Sequence, residues 1–130
     1  MIVFRLDTGS GLAPYLQLVQ QVKRALRLGA LRVGDQLPTV KSAVEQLAIN
    51  PNTVLKAYRE LEHDGLTESR PGLGTFVTHT LAGPGLASHA ALRDQLRAWI
   101  RAAAAAGLDA ESIEALTTTT MRDAQRGEIA

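Results

Sequence analysis

The chain contains no cysteine, so disulfides and thiolate metal or redox sites are excluded, and the composition fits a reducing compartment, the cytoplasm. Aromatic residues are only 4% of the 130 residues while hydrophobic residues are 45%, so the core must be aliphatic, built mainly from Leu, Val, Ile and Ala. No apolar run approaches the length of about 18 residues that a bilayer-crossing helix needs. The N-terminus also lacks the charged stretch and apolar segment of an export signal. Charge of one sign is scarce: the net charge is +1. Residues 1–80 carry nine Lys or Arg against seven Asp or Glu, a net +2; residues 81–130 carry five against six, a net −1. Any affinity for a polyanion must therefore come from local placement of cations. Phosphate-binding glycine loops, dinucleotide fingerprints, nucleophile elbows and HExxH are all missing. The three histidines, His63, His79 and His89, fall on three different expected elements. The expectation is no enzyme, no metal and no cofactor.

What is there is concentrated between Gly34 and Val77. Asn50 suits an N-cap, Pro51 a first helical position, and Gly65 a left-handed C-cap, which predicts a helix over 51–64. Val54, Tyr58 and Leu61 recur at the spacing of one buried face. At about 100° per residue, the opposite face carries Asn52, Lys56, Arg59 and His63, with no carboxylate among them. Upstream, Thr39 can cap a short helix whose Val40, Ala43, Val44 and Leu47 face inward. The break at Ala48-Ile49-Asn50 leaves room only for a sharp turn, as in a helix-turn-helix. Downstream, Leu66–Arg70 and Thr75–His79 read as strands joined by Pro71-Gly72-Leu73-Gly74, a turn with one preset dihedral and two residues free to take positive φ. Helix-turn-helix plus hairpin is a winged helix.

Such a helix start suits a DNA major groove. Asn52 can bond adenine bidentately and Thr53 can reach base edges, while Lys56, Arg59, Lys41 and Arg70 neutralise phosphates. Thr39 and the backbone N–H groups around Gly72 add phosphate contacts, and Asn50 is partly committed to capping. An alternative from another class is a winged-helix protein-interaction module that does not read DNA.

LPTVKSAVEQLAINPNTVLKAYRELEHDGL followed by ESRPGLGTFV resembles the N-terminal domain of GntR-family bacterial transcription regulators, and INPNTV…AYRELE…GL is similar to the YtrA-like subfamily. The resemblance covers residues 1–79. It implies a dimeric repressor acting on an inverted-repeat operator in double-stranded DNA, with an effector that is not specified, and a short strand at Gln36-Leu37 beside the wing. The chain departs from many relatives at Lys41, Pro51 and Leu55, where they carry Arg. Pro51 and Leu55 cannot read bases by hydrogen bonds, which leaves more of the readout to Asn50, Asn52 and Thr53.

In chain order, Ile2–Leu6 alternates weakly and predicts a short strand. Pro14 opens a helix to about Leu28, closed by Gly29, with Tyr15, Leu18, Val19, Val22, Ala25 and Leu26 as its apolar stripe and Gln17 and Gln21 outside it. Ala82-Gly83-Pro84-Gly85 reads as a hinge. Ser88 caps a helix to Ala106. Asp109 caps another, which Gly127 ends and in which the Thr117–Thr120 run is poor in helix propensity. Leu92, Leu96, Trp99, Ile100 and Ala103 on the first, with Ile113, Leu116 and Met121 on the second, exceed what one hairpin can hide and form a dimerisation seam. The fold class is thus mostly α (α+β): a winged helix-turn-helix DNA-binding domain over 1–79, a linker over 80–86 and a two-helix dimerisation hairpin over 87–130.

Overall fold

The computed structural model describes residues 2–83 and 90–129. It divides into two units, Met1–Leu86 and Ala87–Ala130.

Helix α1, Pro14–Arg27, starts on the fixed φ of Pro14 without a side-chain cap, because its N-cap is Ala13. It ends when Gly29 takes φ +73° and the N–H of Ala30 bonds back to the carbonyl of Ala25 at 2.9 Å. Its buried face is Leu18, Val19, Val22 and Leu26. Helices α2, Val40–Leu47, and α3, Pro51–His63, follow. Ala43 of α2 and Val54, Ala57, Tyr58 and Leu61 of α3 meet that face, with Phe4, Leu31, Leu37, Leu66 and Val77 closing the core. Each large side chain so buried contributes about 1.5–3 kcal/mol. Tyr58 reaches the end of this packing with a polar tip: its hydroxyl donates to the Pro38 carbonyl at 2.5 Å, tying the entry of α2 to α3. Burial pushes its phenol pKa up, so it stays a donor.

Strands β1, Thr67–Arg70, and β2, Gly74–Val77, pair antiparallel with Thr67 opposite Val77 and Arg70 opposite Gly74. Both expected strands are one or two residues shorter at their outer ends. The extra strand shrinks to a single pairing, Gln36 with Phe76, flanked by Leu37 N–H to the Thr75 carbonyl at 2.9 Å and Val77 N–H to the Asp35 carbonyl at 2.8 Å.

The N-terminal segment differs from the expectation. Residues 2–6 are not a strand, because what they lie against is a helix. Gln21 supplies the missing pairing with its amide: Arg5 N–H donates to Oε1 at 2.9 Å and Nε2 donates to the Arg5 carbonyl at 2.6 Å. Gln17 repeats this at Asp7, at 2.8 and 2.9 Å, and also reaches Ser10 and Leu12. Gln17 is consequently buried, not on the solvent side of α1.

In the second unit, α4 is Ala90–Ala105 and α5 is Ala110–Ile129. Asp109 caps α5, accepting from the Ser112 N–H at 2.8 Å. The Thr117 hydroxyl is absorbed by the helix itself, donating to the carbonyls of Ile113 at 3.0 Å and Glu114 at 2.9 Å. Gly127 does not end α5, which continues to Ile129; a glycine far from packing costs a helix about 1 kcal/mol, too little to stop it. Ser88 and the Pro84-Gly85 part of the hinge lie outside the described residues. Leu92, Leu96, Trp99, Ile100, Leu116 and Met121 are exposed, Ile113 is half-buried and Ala103 is buried. Between the two helices runs an apolar groove of about 880 Å³ lined by Leu96, Trp99, Ile100, Ile113, Leu116 and Met121.

Candidate nucleic-acid interface

The turn before α3 is made by backbone strain in one residue. Ala48 adopts φ 53°, the left-handed region, and its N–H still bonds the Val44 carbonyl at 2.8 Å, so α2 stops abruptly. A residue with a Cβ takes this shape at a cost of about 1–2 kcal/mol. The turn delivers Asn50 to the N-cap of α3, where its Oδ1 accepts the Asn52 N–H at 2.9 Å. The Asn50 carboxamide oxygen is thereby used, leaving its NH₂ free to donate outward. Asn52 is exposed on the first turn and Thr53 half-buried beside it. Lys56, Arg59 and His63 follow, all exposed, along the face opposite Val54, Ala57, Tyr58 and Leu61. Pro51 is exposed and Leu55 half-buried. Thr39 caps α2, its Oγ1 accepting the Ser42 N–H at 3.1 Å, and Lys41 is exposed on that helix's first turn.

Two of the cations are already engaged. The Lys56 ammonium lies 4.1 Å from the centre of the Tyr15 ring, so α1 shares in presenting it. Tyr15 belongs to the apolar stripe expected of α1, and nothing at that first turn signals that it meets Lys56. The Arg70 guanidinium lies 4.5 Å from the Phe76 ring, with Nε 2.7 Å from Glu68 Oε1. Arg70 therefore runs back along the wing. Both ends of that ion pair are about half exposed, and such a pair exchanges readily for a phosphate.

The wing tip is a type II turn. Leu73 N–H donates to the Arg70 carbonyl at 3.0 Å, with Pro71 at the second position and Gly72, φ +74°, at the third. Gln36 braces it, Nε2 donating to the Leu73 carbonyl at 3.0 Å. A Cβ on Gly74 would come within 2.5 Å of that same Nε2 and push the Gln36 amide aside, and the φ of +124° there disfavours a side chain in any case. Gln36 is not among the expected site residues, and only its long-range partner reveals it. Between α3 and the wing lies a groove of about 570 Å³, with Arg59 on one wall and Arg70 on the other. Thr39 and Gly72 also line it, and Glu62 is its carboxylate, accepting the Ser69 N–H at 3.1 Å. Asn50, Asn52 and Thr53 sit at the start of α3, and Lys56 sits on the α1 side.

Residues 14–77, from the first residue of α1 to the last of β2, match the family model of bacterial regulatory proteins of the gntR family. The chain belongs to the GntR family. Among its relatives is the HTH-type transcriptional repressor YtrA of Bacillus subtilis (strain 168), 38% identical over 76 residues that make up 58% of each protein. The chain thus spans less than two thirds of the curated relatives it matches. A solved transcriptional antiterminator from Listeria monocytogenes EGD-e is similar over 94% of this chain and 92% of that one, at 30% identity and a TM-score of 0.58. AraR(DBD) in complex with operator ORE1 is similar over 60% of this chain and 95% of that one, at 26% identity and a TM-score of 0.50. The mostly helical winged fold is thus the GntR one. Among the described residues this GntR chain has no cluster of three metal-ligating side chains and no helix long and apolar enough to cross a membrane.

Proposed function

We propose that the chain is a sequence-specific DNA-binding transcription regulator of the cytoplasm, a repressor that acts as a homodimer on an inverted-repeat operator. The observation that carries this is the exposed face of α3: Asn52 and Thr53 at its start, Lys56 and Arg59 behind, and Glu60 and Glu62 only at its sides. Asn52 and Thr53 read base edges in the major groove, with the Asn50 NH₂ as a further donor. Thr39, Lys41, Lys56, Arg59, Arg70 and the N–H groups near Gly72 hold phosphates, which sets register without reading sequence. The repressor YtrA and the operator-bound AraR(DBD) support the assignment by kinship. Dimerisation uses the exposed faces of α4 and α5, since a second copy is the simplest cover for Leu92, Leu96, Trp99, Ile100, Ile113, Leu116 and Met121 around the small packed Ala103. Two linked reading heads also offset the weak net charge, because the second binds at high effective concentration.

The test is selection of duplexes from a random pool, followed by titration at several salt concentrations. Asn52→Ala should lose about 1–3 kcal/mol of discrimination at one or two operator positions. Lys56→Ala should weaken every duplex alike and reduce the salt slope by about one phosphate. A salt slope near zero for the wild type would instead point to a protein partner.

A further inference from the structure

The tip of the wing is uncharged and apolar. Pro71-Gly72-Leu73-Gly74 has no cation, and Arg70 at its base is turned back onto Phe76 and Glu68. Leu73 is 66% exposed, in the company of Val3, Leu28 and Val33 among the large apolar side chains that the first unit leaves in water. Unlike a side chain on a loose loop, it sits on a backbone bonded at both ends, through its N–H to Arg70 and its carbonyl to Gln36. Whatever the backbone N–H groups near Gly72 do, the hydrocarbon of Leu73 itself gains nothing from phosphates. It gains by leaving water among bases and sugars.

With α3 in a major groove, the groove between α3 and the wing takes one sugar-phosphate strand, Arg59 and Arg70 facing it from either wall. On the DNA-reading assignment, that docking carries the hairpin tip past the strand and over the adjacent minor groove. We propose that Leu73 is a minor-groove wedge that presses into one base step, partly unstacks it and bends the duplex. The proposal rests on the DNA-reading assignment above and extends it to specificity. Apolar side chains inserted at a base step kink DNA toward the major groove. Pyrimidine–purine steps yield most easily, so the operator carries such a step under each wing although no hydrogen bond reads it. The rigid tip suits the role, because a wedge on a mobile loop would lose its gain to ordering.

The experiment uses the full chain and a duplex selected by the wild type, carrying a fluorescent adenine analogue that brightens on unstacking at the step under the wing. Wild-type binding should brighten the probe and bend the duplex in a circular-permutation gel. Leu73→Ala should bind that duplex about tenfold more weakly, from the apolar surface left in water. Its salt slope should be unchanged, since no charge is lost. Brightening, bending and the preference for a pyrimidine–purine step should all disappear. Leu73→Lys should regain affinity for every duplex with a slope steeper by about one phosphate, and still not brighten the probe. Affinity lost by Leu73→Ala with brightening intact would overturn the wedge, as would an alanine variant indistinguishable from wild type. In both cases tight wild-type binding would leave the DNA-reading assignment standing. A wild type that binds no duplex would bring both down.

Discussion

Leu18, Leu26 and Leu61 of the winged-helix unit keep no surface in water, whereas Leu92, Leu96 and Met121 of the helical pair keep 59%, 52% and 61% of theirs. Composition does not separate the two regions, since both are built on aliphatic side chains. Architecture does. Three helices that cross, sealed by a hairpin, enclose a volume, so a side chain can be surrounded. Two helices side by side enclose only the seam between them, and among the described residues of α4 and α5 that seam buries just Ala103. Layered elements become a stable core only when each apolar face finds a partner. The first unit has found its partners within the chain; the second leaves its apolar faces in water.

The sharpest way to break this contrast is to delete the same atoms in each region. Leu61→Ala should destabilise the winged helix by about 2–5 kcal/mol, the range for a buried leucine. Leu96→Ala should cost the isolated fold much less and act chiefly on self-association. Chemical denaturation of the full chain at several protein concentrations checks both; equal losses would erase the distinction. Next in size is Trp99→Asp, which puts a charge on the exposed face of α4 and should weaken self-association by about 2 kcal/mol or more. Sedimentation should show monomers whose winged helix melts as before. A wild type that is already monomeric at micromolar concentration would remove the need for a second copy.

Within the first unit the comparison can be sharpened at its strained turn. Ala48→Gly should stabilise by about 0.5–1 kcal/mol, the relief of the left-handed backbone less the extra freedom glycine gives the unfolded chain. A loss on thermal melting would mean that the Cβ has packing value. The smallest effect belongs to the second unit's cap. The Ser112 hydroxyl and N–H hold the Asp109 carboxyl below its ordinary 3.8. A lowered value in the folded state means stability that is present above 3.8 and disappears as pH falls through the lower value. Acid titration of helicity should show this slight loss, and Asp109→Ala should abolish it.

The two regions also differed in how far they could be read beforehand. The start of α3 was legible because its signals are local: Asn50 caps, Pro51 follows, and Val54, Tyr58 and Leu61 mark the inner face. The same holds for the wing, where Pro71 and Gly72 dictate the turn. Where contact partners are distant the sequence is silent. Nothing near Gln36 announces that its amide will reach the wing tip, and nothing near Tyr15 announces Lys56. Gln17 and Gln21 read as solvent residues by periodicity, yet they bind backbone ten and sixteen positions away. Ala48 is quieter still, since alanine is a good helix former and only the crossing of α2 and α3 forces it out of that shape. Gly127 points the other way: it reads as a stop, yet no contact there enforces one and the helix runs on to Ile129.

Gln17 and Gln21 of α1 carry a consequence for how the protein ages. A carboxamide offers N–H donors beside a carbonyl acceptor, as a peptide edge does, and so each can stand in for a neighbouring strand. Hydrolysis of that amide to a carboxylate keeps the acceptor and removes the donor. At residue 17 the new charge would then face the carbonyls of Asp7 and Leu12, and at residue 21 that of Arg5, where before an N–H had bonded them. A mass gain of a single dalton at either position would thus unfasten the first residues of the chain and expose Phe4 above Tyr58. Old preparations would lose their N-terminal segment to proteases first.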